Sequence, residues 1–181
     1  MENRITPVPP RLVTWRGSLE RRPYCSAAAL GACLGILSVC CALLVLGVLL
    51  QWLPPEQWGE SAASGLARLS QGMVFFLTVL YAPVIESFIA QLVPIELARR
   101  LGAHPAVCVL LSGLVFGYGH YSNGGLAHGI TTFFSGLVFG SAYLAPRRVG
   151  VSAGFLAASS AHAVHNLLLL FVIAPLLPGA L

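Results

Sequence analysis

One uncharged stretch constrains the fold more than any other feature of this chain. No charged side chain lies between Pro23 and Pro55, and about 20 consecutive apolar residues are enough for a helix to cross a bilayer. The apolar core of a signal peptide is shorter, about 7–15 residues, so we interpret Ala27–Leu53 as an uncleaved transmembrane helix.

The composition extends this conclusion to the whole chain. Of its 181 residues, 57% are hydrophobic and 9% are charged, whereas soluble domains carry about 25% charged residues. We therefore predict an all-α polytopic membrane helix bundle with about five transmembrane helices. Residues 1–22 are predicted to be a basic cytoplasmic tail and 23–181 the membrane-embedded domain, with a motif-bearing core at 73–177. The four further helices are predicted at Met73–Ala98, Pro105–His120, Leu126–Leu144 and Val151–Leu177.

The arginines predict the orientation of the bundle. All ten basic residues are arginines, and with five spans the tail arginines, Arg99–Arg100 and Arg147–Arg148 fall on one side, whereas Arg68 falls on the other. The positive-inside rule then places the N-terminus in the cytoplasm and the loop Tyr121–Gly125 toward the outer surface. Because no basic face with polar neighbours is present, nucleic acid is not an expected partner. The five cysteines have no metal-binding spacing and are interpreted as packing residues.

The first chemical feature is an acid inside an apolar run. Glu86 lies near the middle of the second predicted helix, where an ionisable group costs about 2.5–3.5 kcal/mol on insertion scales and is functional by default. Pro83 precedes it. Since proline has no N–H, we expect it to free the carbonyl of Val79 and bend the helix just before the acid.

Two other apolar helices carry polar side chains that could offset this cost. Phe116 and His120 are four residues apart and share a helix face, and so do His162 and Asn166. Burying these groups apart from one another would leave several of them without hydrogen-bond partners. The sequence therefore predicts that Glu86, His120, His162 and Asn166 line one cavity, with Glu86 and His120 within reach of one bridging water.

The order of these motifs resembles a known family. A glutamate motif, then F-x-x-x-H (Phe116–His120), then H-x-x-x-N (His162–Asn166), over about Tyr81–Leu170, is similar to the CPBP intramembrane proteases. That family includes CAAX prenyl endopeptidases and bacteriocin-processing or self-immunity proteins. The resemblance implies that Glu86, His120, His162 and Asn166 are catalytic. It implies a membrane endopeptidase without a cofactor, whose partner is the peptide tail of a membrane-associated or lipidated protein. His104, His128 and His165 match no position of the family and receive no role.

The chain departs from the family at two positions. The family's first motif is typically E-E-x-x-x-R, and here Ser87 replaces the second glutamate and Gln91 the arginine. Both charges are missing together, so the net charge in the membrane is unchanged. We interpret this as a coupled replacement and expect a neutral hydrogen bond between Ser87 and Gln91.

Three hypotheses remain open at this point. In the first, Glu86 and His120 activate a water, while His162 and Asn166 donate hydrogen bonds to the oxyanion of the tetrahedral intermediate. In the second, Glu86, His120 and His162 are ligands of a zinc ion with water in the fourth position. In the third, the chain is a catalytically inactive membrane interaction or immunity protein on the same fold.

A hexapeptide, SGLVFG, occurs at Ser112–Gly117 and again at Ser135–Gly140. Each copy contains G-x-x-x-G, a spacing that lets helix backbones approach closely in membranes. We interpret the repeat as a helix-packing signal rather than a duplication.

Overall fold

The computed structural model describes residues 17, 20–59, 65, 66 and 68–176, and this part of the chain is helical without strands. The helices are α1 (Pro23–Trp52), α2 (Gln71–Arg100), α3 (Pro105–Leu144) and α4 (Val151–Leu176), with a 3₁₀ turn at Pro55–Gln57. This all-α membrane bundle confirms the predicted fold class. Most of the predicted tail, 1–22, and Leu177 at the end of the last predicted helix lie outside the described residues.

Local sequence explains where α2 and α3 begin. Ser70 caps α2 by accepting a hydrogen bond from the backbone N–H of Met73 at 3.3 Å. His104 caps α3 by accepting one from the N–H of Ala106 at 3.2 Å, and Pro105 occupies the first turn, where its missing N–H costs nothing.

α3 is a hairpin rather than a straight rod. Gly125 has φ 81°, a left-handed conformation that glycine adopts without a steric penalty. The arm 105–124 then packs antiparallel to the arm 126–144, and the hydroxyl of Ser112 donates to the carbonyl of Gly136 at 3.1 Å. The third and fourth predicted helices are thus confirmed as separate arms. The predicted loop Tyr121–Gly125 is wrong, because the helix continues to Gly124 and one glycine makes the turn.

The two SGLVFG copies form the seam of this hairpin. A Cβ on Gly113 would lie 2.6 Å from the side chain of Leu137, and a Cβ on Gly136 would lie 3.0 Å from the Cα of Gly113. Gly140 meets Ser112 in the same way, at 2.9 Å. The prediction that the repeat serves helix packing is confirmed, because glycines of each copy lie where the other arm approaches too closely to leave room for a side chain.

A second seam of small residues joins α1 to α4. A Cβ on Gly35 would lie 2.5 Å from the carbonyl oxygen of Ala161, and one on Gly31 would clash with the carbonyl oxygen of Ala157. In lipid, where association depends on close packing, small residues at such a contact allow the helix backbones to approach. This seam holds α1 against the helix that carries His162.

Three helices among the described residues are long and apolar enough to cross a membrane: α1, α2 and α4. The five predicted spans correspond to these three helices and the two arms of the hairpin. The count of five, which depends on both arms crossing the bilayer, stays a prediction.

An ionic cluster joins the end of α2 to the end of the hairpin. The carboxylate of Glu96 accepts hydrogen bonds from the Arg147 guanidinium, with Nη2 to Oε2 at 2.8 Å, and from the hydroxyl of the buried Tyr143 at 2.9 Å. These bonds raise the pKa of Arg147 above its ordinary value. The cluster fixes α2 relative to the arm 126–144, and so helps to position Glu86 against the rest of the cavity.

Candidate active site

α2 contains two segments with wider turns than an α-helix, one on each side of Glu86. Its α-helical turns are interrupted by π turns at Phe76–Tyr81 and Phe88–Leu92, and a third π turn occupies Leu169–Ile173 of α4. A proline follows each of them two residues later: Pro83, Pro94 and Pro175. A proline ring clashes with the carbonyl four residues before it, and a wider turn moves that carbonyl away. The predicted bend before Glu86 is thus a change of helical register.

The change of register decides which carbonyl loses its partner. The N–H of Ala82 bonds to the carbonyl of Leu77, five residues earlier, so the next carbonyl in this register is that of Thr78. Pro83 has no N–H to offer it. The side-chain amide of Asn166 donates to the Thr78 oxygen instead, at 2.8 Å. The prediction that Pro83 leaves the carbonyl of Val79 without its N–H partner assumed an uninterrupted α-helix. Because of the π turn, the carbonyl without a backbone partner is that of Thr78.

Glu86 lies between two histidines. Its Oε2 is 3.6 Å from Nε2 of His120 on the arm 105–124 and 3.7 Å from Nε2 of His162 on α4. Both separations are slightly longer than a direct hydrogen bond, so they suit a water molecule that bridges the groups. The side chain of Glu86 is 37% exposed in the protein, whereas that of His162 is 2% exposed. The carboxylate is thus the accessible member of the group.

The orientation of His120 is fixed from its own helix. Its Nδ1 is 2.9 Å from the carbonyl oxygen of Phe116, one turn earlier, and the two rings lie 4.3 Å apart. A carbonyl oxygen accepts only, so Nδ1 carries a proton. In the neutral ring, Nε2 then presents a lone pair toward Glu86. The F-x-x-x-H motif thereby orients the histidine and selects its tautomer.

His162 is held by aromatic rings. It stacks on Phe139 with ring centroids 4.8 Å apart and meets the edge of Phe116 at 5.1 Å. Its Nδ1 is buried without a hydrogen-bond partner among the described residues. Since Oε2 of the Glu86 carboxylate, an acceptor, lies 3.7 Å from Nε2, the tautomer with the proton on Nε2 is favoured. His120 therefore presents a hydrogen-bond acceptor, and His162 a hydrogen-bond donor, to the same carboxylate.

All four predicted residues line one cavity of about 700 Å³ between α1, α2, both arms of α3 and α4. The cavity extends along the C-terminal half of α1 to Trp58, which lies near the hairpin turn. Many of the other residues that line the cavity have apolar side chains, including Leu43, Leu46, Leu50, Leu77, Leu169 and Leu170. The predicted convergence of Glu86, His120, His162 and Asn166 is thus present in the structure.

The structure also brings into the cavity residues to which sequence reasoning gave no role. His128 and His165 line it, and the rings of His120 and His128 lie 5.2 Å apart. Thr131, Thr132 and Ser135 continue the polar surface from His128 along the arm 126–144. Their spacing from His128, at 3, 4 and 7 residues, is that of one helix face, a signal that could have identified them. His104 lies outside the cavity, at the start of α3.

The expected hydrogen bond between Ser87 and Gln91 is absent. Gln91 is fully buried, and its Nε2 donates to the hydroxyl of Ser112 on the arm 105–124 at 3.4 Å. The hydroxyl of Ser87 and Oε1 of Gln91 have no partner among the described residues. The prediction was wrong because it considered one helix only, whereas the segment Phe88–Leu92 of α2 packs against α3, and Ser112 of that helix lies within reach of Gln91.

The zinc hypothesis concerns three of the same side chains. Within the described part of the chain, no group of three or more His, Cys, Asp or Glu side chains is arranged to hold a metal ion. This holds for the three ligands of the zinc hypothesis, Glu86, His120 and His162. We therefore derive no chemical step through zinc.

The chain matches the model of a known protein family. A family model described as "Type II CAAX prenyl endopeptidase Rce1-like" matches residues 68–168, more than half of the 181-residue chain. The matched segment contains Glu86, His120, His162 and Asn166. Searches of the curated proteins and of the solved structures find no match.

Proposed function

We propose, from the premise that this chain belongs to the Type II CAAX prenyl endopeptidase Rce1-like family, that it hydrolyses a peptide bond in the tail of a membrane-associated protein with a water activated by Glu86. One observation carries the proposal. The Oε2 atom of Glu86 lies 3.6–3.7 Å from the Nε2 atoms of two histidines with opposite hydrogen-bonding character, at an apolar cavity.

The first step is attack by water. A water between Glu86 and His120 gives one proton to this pair, and its oxygen forms a bond to the carbonyl carbon of the substrate as the carbonyl electrons move onto the carbonyl oxygen. Glu86 and the Nε2 lone pair of His120 are the two acceptors near that water. In the second step the electrons of the oxyanion re-form the C=O bond, the C–N bond breaks, and the leaving nitrogen takes the proton that the pair holds, which gives a carboxylic acid and an amine.

The negative charge that develops on the carbonyl oxygen needs hydrogen-bond donors. His162 can donate from Nε2. Asn166 uses one of its two amide hydrogens for the Thr78 carbonyl and has a second one for the oxyanion. In apolar surroundings such fixed donors stabilise the charge more than water does, since they need no reorganisation during the reaction.

A second function keeps support from one observation. With Ser87 and Gln91 in place of the family's second glutamate and arginine, two buried polar atoms, Ser87 Oγ and Gln91 Oε1, have no hydrogen-bond partner among the described residues. A chain that binds membrane-associated tails or partners without cleaving them would tolerate such a change. In that case the cavity is a binding site, and Glu86 activates no water.

The test uses the full chain in liposomes with lipid-anchored tail peptides, and detects products by mass spectrometry. We expect Glu86→Gln to reduce cleavage by about 10²–10⁴-fold, the usual contribution of a general base. Glu56→Gln is the matched control, because Glu56 is exposed on the turn Pro55–Gln57 and is not among the residues that line the cavity. Its cleavage rate should equal that of the wild type.

Three outcomes would change the proposal. Equal cleavage by Glu86→Gln and the wild type would exclude Glu86 as the base. Binding of the peptides by the wild type without cleavage would support the inactive interaction protein. Loss of cleavage in the presence of a zinc chelator, with recovery on addition of zinc, would support the zinc hypothesis against the donor geometry.

A further inference from the structure

The pair Glu86 and His120 borders a second, smaller cavity. It has a volume of about 230 Å³ and lies between α2 and the arm 105–124. Besides the shared residues Glu86, Phe116 and His120, its lining consists of Ile89, Ala90, Val115, Gly119 and Asn123. The proposed water-activating pair therefore stands where two cavities of different size meet.

The proposed oxyanion donors are distributed unequally between the two cavities. His162 and Asn166 line the large cavity and are not part of the small one. These donors direct the carbonyl oxygen toward the large cavity, and the acyl side, which carries the longer part of the substrate, takes the larger of the two spaces. The leaving nitrogen needs a proton from the Glu86–His120 pair, which faces both cavities. An extended substrate that continues past this pair enters the small cavity.

We infer that the small cavity binds the leaving segment, which is the part of the substrate on the carboxyl side of the scissile bond. This inference rests on the proposed function and assigns a direction to the substrate within it. The apolar walls, Ile89, Ala90 and Val115, suit small apolar side chains on that segment. At 230 Å³ against 700 Å³, the space is for a short tail and excludes a folded domain.

Gly119 sets the size of this site. A Cβ built on Gly119 would meet no atom of the described residues within 4 Å, so a larger side chain there is compatible with the described fold and fills the cavity. Asn123 lies one turn further along the same helix face. Its amide donates to the carbonyl of Gly119 at 3.1 Å, which leaves a second amide hydrogen and the amide oxygen to bind the backbone of the leaving segment.

The test measures preference at the first residue after the scissile bond. Lipid-anchored peptides that differ only there, with glycine, alanine, leucine or phenylalanine, are cleaved by the wild type and by Gly119→Val in liposomes. We expect Gly119→Val to lower cleavage of the leucine and phenylalanine peptides relative to the glycine peptide by about tenfold or more, the scale at which pocket contacts discriminate side chains. Gly47→Val is the matched control, because a Cβ on Gly47 of α1 also meets nothing within 4 Å.

A placement measurement separates this inference from the proposed function. In Glu86→Gln, a photoreactive residue just after the bond should crosslink to Ile89 or Val115, and one several residues before it should crosslink to Leu46 or Leu170. An active Gly119→Val with unchanged preference, or the reverse crosslinking pattern, overturns the leaving-segment site and leaves the proposed function intact. Absence of cleavage by the wild type overturns both.

Discussion

The side-chain amide of Asn166 donates a hydrogen bond to the main-chain oxygen of Thr78 at 2.8 Å. It takes the place that the N–H of residue 83 would have in the π register if that residue were not Pro83. The bond joins α4 to α2 one turn before the turn that carries Glu86. Asn166 therefore has a structural task in addition to its proposed role as an oxyanion donor.

The two tasks of Asn166 can be separated by a double-mutant cycle with Pro83. Asn166→Ala leaves the Thr78 carbonyl without its partner, which costs about 1–3 kcal/mol of unfolding free energy. Pro83→Ala restores a backbone N–H, so the loss of stability caused by Asn166→Ala should be smaller in the double variant. Cleavage should stay low in Asn166→Ala and in the double variant. Denaturation in detergent and peptide cleavage are the two measurements, and additive stability losses would contradict the assigned register.

His162 is expected to act through its Nε2 proton and its fixed ring. His162→Ala should lower cleavage by about 10²–10³-fold, as for other single oxyanion donors. Phe139→Leu should give a smaller loss, because it removes the ring on which His162 stacks. His104→Asn is the control: it keeps a side chain that can cap α3 and lies outside the cavity. Wild-type turnover by His162→Ala would remove this residue from the proposed mechanism.

The polar contacts of Gln91 predict coupling between helices. Gln91→Met and Ser112→Ala should be non-additive in unfolding free energy, since the two side chains share a hydrogen bond. Ser87→Ala should be neutral or stabilising, because it removes a buried hydroxyl that has no partner among the described residues. It should also be additive with Gln91→Met. Strong coupling between Ser87 and Gln91 would instead support the direct bond that the sequence suggested.

The adjacent arginines 147 and 148 should differ in their contribution to stability. Arg147→Met removes the charged partner of Glu96 and is expected to cost about 1.5–3 kcal/mol of unfolding free energy, the range for hydrogen bonds to charged groups. Arg148→Met should change it little, because Arg148 is exposed and is not among the partners of Glu96 in the described structure. Equal effects of the two substitutions would show that the Glu96 cluster adds little.

The orientation in the membrane is tested by thiol labelling in a variant in which the five native cysteines are replaced by alanine. The arginine distribution predicts that Ser122→Cys, exposed near the hairpin turn, is labelled by an impermeant reagent from the outer side. Arg148→Cys should be labelled from the cytoplasmic side. The opposite pattern would invert the bundle and open the large cavity, which extends toward the hairpin turn, to the cytoplasm.

Much of this protein could be predicted from the sequence. Long apolar runs can satisfy their backbone groups in lipid only as helices, so the helix pattern followed from the positions of the few polar residues and prolines. The convergence of Glu86, His120, His162 and Asn166 was predictable for the same reason. Four polar groups in apolar helices, in a chain with few other such groups, are expected to gather at one cavity. The repeated G-x-x-x-G likewise indicated the hairpin seam.

Contacts between helices decided the rest. The partner of Gln91 is Ser112 rather than Ser87, and the carbonyl freed by Pro83 is that of Thr78. These outcomes depend on the packing of α2 against α3 and on π turns, neither of which the spacing along one helix specifies. The same holds for the entry of His128 and His165 into the large cavity and for the small cavity beside Gly119. The sequence identifies which side chains are costly to bury, whereas the packing of neighbouring helices selects the atoms that satisfy them.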